Sequence, residues 1–268
     1  MRALLASPLG FLIGVSLGAL GGGGSILAVP VLVYAAGQTP KQATASSLIL
    51  VAATSLVGLA PHWRARRVRL LPGVVFSVAG VGASLIGSKL NQRADQDVLL
   101  LAFAGLMIVA AAAMWRSLRQ RADVDRPPPT CDAAAATATT ITIDALTVVK
   151  VIVAGSVVGA LTGFFGVGGG FVIVPALVLA LGFTMPHAIG TSLLVIVINS
   201  LVALSTRLQG GNIEWSVIAP FAVASLGGVI VGGRLAGTVN PAVLQRWFIG
   251  LLVAVAIYTA INSLAALR

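Results

Sequence analysis

Gly163-Phe164-Phe165-Gly166-Val167-Gly168-Gly169-Gly170-Phe171-Val172-Ile173-Val174-Pro175 lies inside the longest uncharged run of this chain. Between Lys150 and Arg207 there is no Asp, Glu, Lys or Arg for 56 residues. One helical span needs only about 20 apolar residues to cross about 30 Å of hydrocarbon, so the run holds at least two buried segments. Backbone in lipid must satisfy its own hydrogen bonds, which makes these segments helices. Transmembrane β-strands alternate polar and apolar residues, and runs such as Leu99 to Met114 do not. The whole chain agrees, with 58% apolar and 9% charged residues. Soluble domains carry roughly 25% charge, so this composition excludes one. The expectation is an all-α integral membrane protein.

The quoted stretch has an earlier copy, Gly18-Ala19-Leu20-Gly21-Gly22-Gly23-Gly24-Ser25-Ile26-Leu27-Ala28-Val29-Pro30, offset by 145 residues. The same offset carries Gly14 onto Gly159, Gly37 onto Gly182, Thr39 onto Thr184 and Ser47-Leu48 onto Ser192-Leu193. It also carries Ser55-Leu56-Val57 onto Ser200-Leu201-Val202, Gly87 onto Gly232, Lys89 onto Arg234 and Gly105 onto Gly250. Internal repeats in an apolar chain are a signature of transporter folds. The expected organisation is a first transmembrane repeat over 1–116, a polar cytoplasmic linker over 117–147, and a second transmembrane repeat over 148–268. The linker holds Arg119, Arg121, Asp123, Asp125, Arg126, three prolines and an Ala/Thr-rich tract, a low-complexity tether.

Each half shows five apolar segments, near 3–20, 25–36, 46–60, 71–88 and 98–115, then 148–165, 170–181, 191–206, 215–233 and 243–264. The second of each set is too short for a full span, follows a glycine cluster and contains a proline (Pro30, Pro175). That pattern reads as a broken or re-entrant helix. The loop at 62–69 has four arginines and no acid, so it and the arginine-led linker are expected in the cytoplasm. If the first two segments of a half form a pair, each half crosses an odd number of times and the repeats are inverted about a pseudo-two-fold axis. If they merge into one crossing, the halves are parallel. Residues 3–36 are too long for one ordinary span, which favours inversion. Arg2 before an apolar run resembles a signal peptide, but the cluster at Gly21 is no cleavage site and the first helix is read as retained.

Two kinds of residue are candidates for binding. The clusters Gly22, Gly23, Gly24, Ser25 and Gly168, Gly169, Gly170 precede short helices, whose first N–H groups lack intrahelical partners and favour an anion. The alternative is close helix packing, for which membrane glycines are also used. Ser47, Thr191, Ser192 and Asn199, with Thr54 one heptad from Ser47, place hydroxyl and amide groups on shared helix faces. They suit an oxyanion, or interhelical hydrogen bonding. His187, Lys89 and Arg234 read first as loop or snorkelling residues.

No Asp or Glu lies in any expected span, so a carboxylate proton relay is missing. No Walker A, His-Glu-x-x-His or Gly-x-Ser-x-Gly pattern occurs. No cofactor or metal is called for, and the single Cys131 forms no intrachain disulfide. The formal net charge of +10 reflects cytoplasmic loops rather than nucleic-acid binding.

With these residues laid out, the chain resembles the sulfite exporter TauE/SafE family of membrane permeases. The resemblance rests on the two glycine-to-proline blocks and on Ala188-Ile189-Gly190-Thr191-Ser192-Leu193, and covers about 9–115 and 150–264. It implies a non-enzymatic secondary permease or exporter in the cytoplasmic (inner) membrane, multi-pass, carrying sulfite or organosulfonates. Alternating access would operate at the repeat interface, with homo-oligomers allowed. A channel or permease for another small anion, an intramembrane hydrolase pairing a serine with His62 or His187, and a non-transporting subunit are the alternatives.

Overall fold

The computed structural model describes residues 2–24, Ala28, Leu32, 40–91, 96–124, 145–165, 170–207 and 215–266. Among these residues every regular element is helical. They are α1 (Arg2–Leu20), a 3-10 turn (Gly21–Gly24), α2 (Pro40–Arg64), α3 (Leu70–Asn91) and α4 (Gln96–Val124). After these come α5 (Ala145–Phe165), α6 (Gly170–Ala180), α7 (Met185–Arg207), α8 (Trp215–Thr238) and α9 (Pro241–Ala266). Five stretches are long and apolar enough to cross a membrane: Ser46–Arg64, Leu70–Gly87, Met185–Leu204, Ile218–Thr238 and Pro241–Ile261. Pro8–Leu20 and Val148–Phe164 are shorter apolar helical stretches. Many large apolar side chains lie on the outside, including Ile86, Val223 and Trp247, the last 72% exposed. Such a surface needs hydrocarbon against it rather than water. This is a multi-pass membrane protein.

Local chemistry ends the helices. Arg66 takes φ 54°, and the N–H groups of Arg66 and Arg67 return to the carbonyls of Trp63 and His62, a left-handed cap that closes α2. Gly182, at φ 66°, closes α6 as Phe183 N–H bonds the Leu177 carbonyl. The Asn240 side chain accepts from Ala242 N–H ahead of Pro241, an N-cap followed by a proline whose missing N–H costs nothing there.

Two sequence expectations shift. Pro175 lies inside α6 rather than interrupting it, because a proline's φ is already helical and only one ladder bond is lost. The stretch read as linker begins as helix: α4 continues to Val124, since Arg, Leu, Gln and Ala are good helix formers with or without lipid. The rest of that stretch, 125–144, lies outside the described residues.

Close backbone approaches set the packing. A methyl group on Gly14 would strike the Ser225 backbone, and one on Gly18 the backbone of Val229 and Gly233, so α1 and α8 run parallel. Gly159 meets the Gly80 backbone and Gly163 meets Ser84, so α5 and α3 also run parallel. Gly58 of α2 sits against Leu193 of α7, whereas Gly190 sits against His62, so α2 and α7 run antiparallel. Small residues of this kind let membrane helices approach where no hydrophobic force drives them together. Fully buried Leu17, Phe76, Leu193, Val229 and Phe248 fill the core between these pairs.

These contacts also fix how the short segments travel. Gly87 of α3 meets Ala160 and Phe164 near the end of α5, whereas Gly73 meets Thr191 and Leu194 of α7. Fourteen helical residues separate Gly73 from Gly87, about 21 Å. The chain between α5 and α7 therefore runs from one end of α3 to the other and does not turn back as a re-entrant loop would. α6 supplies only 11 residues of that path, about 16 Å. In the first half, 25–36 lies outside the described residues except Ala28 and Leu32, both buried. The ends of α1 and α2 meet one stretch of α8, through Gly18 with Val229 and Gly58 with Val229.

Candidate functional site

The two glycine clusters, far apart in sequence, come together in space. α1 ends at Leu20 and the chain enters the 3-10 turn at Gly21, whose φ of 70° excludes most side chains. A Cβ on Gly21 would stand 2.6 Å from Ser192 Oγ of α7, with Ile189 and Val174 next nearest. The next residue, Gly22, is buried and packs directly on the backbone of Gly170, the first residue of α6, with no space for a methyl group. The turn that begins at Gly21 and Gly22 is therefore a neighbour of Ser192 in α7 and of Gly170 at the N-terminal end of α6. Gly23 and Gly24 complete the 3-10 turn. Ser25, Gly168 and Gly169 lie outside the described residues.

The hydroxyl groups are largely committed. Ser192 Oγ donates to the Ile189 carbonyl at 2.8 Å. Thr191 Oγ1 accepts from Arg69 N–H at 3.2 Å, tying the arginine loop to α7. Thr54 donates to Leu50 and Val51 carbonyls of its own helix. Ser47 is buried in α2. Among the described residues, Ser55 Oγ and Asn199 Oδ1 on the antiparallel α2–α7 pair have no hydrogen-bond partner, besides the ring nitrogens of His62. A Ser hydroxyl inside a helix usually bonds the carbonyl one turn back, but the neighbouring Val51 carbonyl already accepts from Thr54.

Two residues that the site prediction omitted stand beside the junction. Gly21 was legible as part of its cluster but gave no sign of its left-handed φ. His62, in the last turn of α2, is 2% exposed and has neither ring nitrogen hydrogen-bonded. Its Cβ would stand 3.2 Å from a Cβ on Gly190, two residues from Ser192. His187 instead bonds Thr184 Oγ1 at 2.8 Å at the start of α7. Lys89 and Arg234 are exposed, in keeping with snorkelling. Among the described residues no group of three His, Cys, Asp or Glu side chains is placed to hold a metal ion.

Backbone amides at a helix start, hydroxyls, an imidazole and nearby arginines, with no carboxylate among them, compose a polar patch inside an apolar helical bundle. A multi-pass helical protein with such an interior belongs to the membrane transporters. The family described as sulfite exporter TauE/SafE matches residues 6–259, and the chain belongs to it. It is similar to a probable membrane transporter protein of Xylella fastidiosa, 34% identical over 261 residues that cover 96% of this chain and 95% of that one. The probable membrane transporter proteins YdhB and YunE of Bacillus subtilis are each 25% identical, over 238 and 257 residues, covering 88% of this chain and 91% and 85% of theirs. No solved structure matches it.

Proposed function

We propose that this transporter is a secondary permease of the cytoplasmic membrane that carries a small oxyanion, sulfite or an organosulfonate, through the junction of its two glycine clusters. The observation that carries the reading is that Gly22 seats on Gly170, where α6 starts, with Gly21 against Ser192; the Gly170 carbonyl fills the contact itself, so the anion is held by the helix-start amides beside it. Main-chain N–H groups at a helix start attract anions, and in a water-poor interior that attraction is weakly screened. The binding set is Gly22, Gly23, Gly24 and Ser25 from one half and Gly168, Gly169 and Gly170 from the other, with Ser47, Thr191, Ser192 and Asn199 around them.

The two halves act as inverted repeats that rock against each other in alternating access. The packing supports this through contacts that recur at the 145-residue offset. Gly14 against Ser225 corresponds to Gly159 against Gly80, and Gly18 against Val229 to Gly163 against Ser84. Gly232 against Val15 corresponds to Gly87 against Ala160. In each case a residue of one half exchanges places with its counterpart in the other. The related helices α2 and α7 lie antiparallel, as an axis in the membrane plane requires.

The test is flux in proteoliposomes holding purified protein, with sulfite, thiosulfate, sulfoacetate, sulfate and acetate offered separately. Saturable flux of sulfite or a sulfonate over acetate is expected, and Gly169→Leu abolishes it while the protein still inserts. Flux of none of these anions sinks the substrate reading; undiminished flux in Gly169→Leu sinks the site. Flux that never saturates identifies a channel.

A further inference from the structure

We infer that His62 is a substrate-binding residue: its imidazole donates a hydrogen bond to the oxyanion on the arginine-loop side of the glycine junction. This rests on the permease reading above and adds to it a side chain, a position and a direction of approach.

His62 is a polar group placed where polar groups are seldom left unmatched. It is 2% exposed, and neither Nδ1 nor Nε2 makes a hydrogen bond of good geometry, the Gly18 backbone acting on the ring only as a loose partner. Buried side-chain polar atoms are well paired in the large majority of cases, so an imidazole this poorly matched calls for a reason. Packing alone would be served better by leucine, which fills a similar space and has nothing to desolvate.

Its surroundings favour an anion. The His62 Cβ and the Arg67 carbonyl both stand against Gly190, and the ring is acted on by the Gly18 backbone and by Arg67. Arg67 and Arg69 also act on His187 at the start of α7. Gly190 lies between Ile189 and Ser192, the two α7 residues that face Gly21. Gly190 is thus within one turn of α7 from the residues that face Gly21, and the first turns of that helix add their positive end. The Arg66–Arg67 cap and the Arg69–Thr191 bond hold the arginine loop beside this position. Among the described residues no acidic side chain acts on either histidine. An N–H donor, a guanidinium and a helix start converging without a carboxylate match a monoanionic sulfonate or hydrogen sulfite, whose oxygens accept several donors at once.

The experiment compares wild type, His62→Gln and His62→Leu in proteoliposomes, using sulfite and sulfoacetate as probes, with folding checked by thermal melting in detergent. Gln keeps an N–H donor; Leu keeps volume only. Losing one hydrogen bond to a charged ligand corresponds to roughly tenfold or more in affinity. His62→Leu is therefore expected to raise the half-saturating concentration by about that factor while melting at or above the wild-type temperature. His62→Gln recovers most of the affinity. The inference is overturned if Leu carries the anion as well as wild type, or if Gln performs no better than Leu. If wild type itself moves neither probe, the permease reading fails first and separately.

Discussion

Gly22 packs face to face on Gly170, so the first glycine cluster and the start of the short helix behind the second share one van der Waals surface. A methyl group on Gly22 would fall on the Gly170 carbonyl, which is backbone and cannot rotate away. Overpacking of this kind costs about 1–3 kcal/mol, and here it also forces apart the two segments proposed to hold the anion. Gly22→Ala is expected to lower the melting temperature and depress flux severalfold. Gly105→Ala, in α4 with nothing within 4 Å of its Cβ position, serves as the matched control and leaves flux unchanged. Equal flux in the two variants would remove Gly22 from the mechanism.

How much of this was legible in the sequence depends on what each residue's partner is. The helices were legible because lipid leaves the backbone one solution, and five of the stretches expected to be apolar coincide with spans long enough to cross. The glycine-to-proline block marked α6. His62 was not legible as a binding residue: it sits among Trp63, Arg64, Arg66 and Arg67, which reads as an exposed basic loop. Only the tertiary packing of α2 against Gly190 buries it. Thr191 was read for its hydroxyl, but its partner, the Arg69 amide, lies 122 residues away and no local pattern announces it.

The symmetry of close contacts predicts matched energetic effects. Gly14 and Gly159, which the proposed repeat makes counterparts, each have a backbone in the way of a Cβ. Gly14→Ala and Gly159→Ala should each destabilise by about 1–3 kcal/mol. Gly82→Ala lies in the same kind of helix with open space around it, and should be neutral or stabilising by about 0.4–1 kcal/mol through the lost freedom of the unfolded chain. Thermal melting of the purified variants in one detergent measures all three. A large loss in only one of the first pair would argue against equivalent interfaces.

Antiparallel α2 and α7 predict sidedness. The arginine loop closes α2, and Gly233 near the end of α8 lies by Pro61 of α2, so the turn at Asn240 belongs to the same face of the membrane. α3 starts at that loop and ends at Asn91, on the opposite face. In a Cys131→Ala background, Ala65→Cys and Asn240→Cys should react with a membrane-impermeant thiol reagent from one side, and Leu90→Cys from the other. The cytoplasm is the expected side for the first two, by the arginine excess. Labelling of Ala65→Cys and Leu90→Cys from the same side would break the helix arrangement that the inverted repeat needs.

Thr191 separates a structural hydroxyl from a substrate ligand. Its Oγ1 accepts from the Arg69 amide at 3.2 Å, holding the arginine loop on α7 beside His62. Thr191→Val keeps the shape and deletes the acceptor, leaving a backbone N–H without its partner. A lost bond of this sort costs about 1–3 kcal/mol, so melting should fall and Thr191→Ser should restore it. If the hydroxyl only anchors the loop, flux at saturating substrate changes while the half-saturating concentration stays near wild type. If it also touches the anion, the Val variant raises the half-saturating concentration as His62→Leu does. The double variant then discriminates further: ligands on one anion couple, so the combined loss departs from the sum of the single losses. Additive losses would leave Thr191 as the fastening of the loop and His62 as the group that meets the anion.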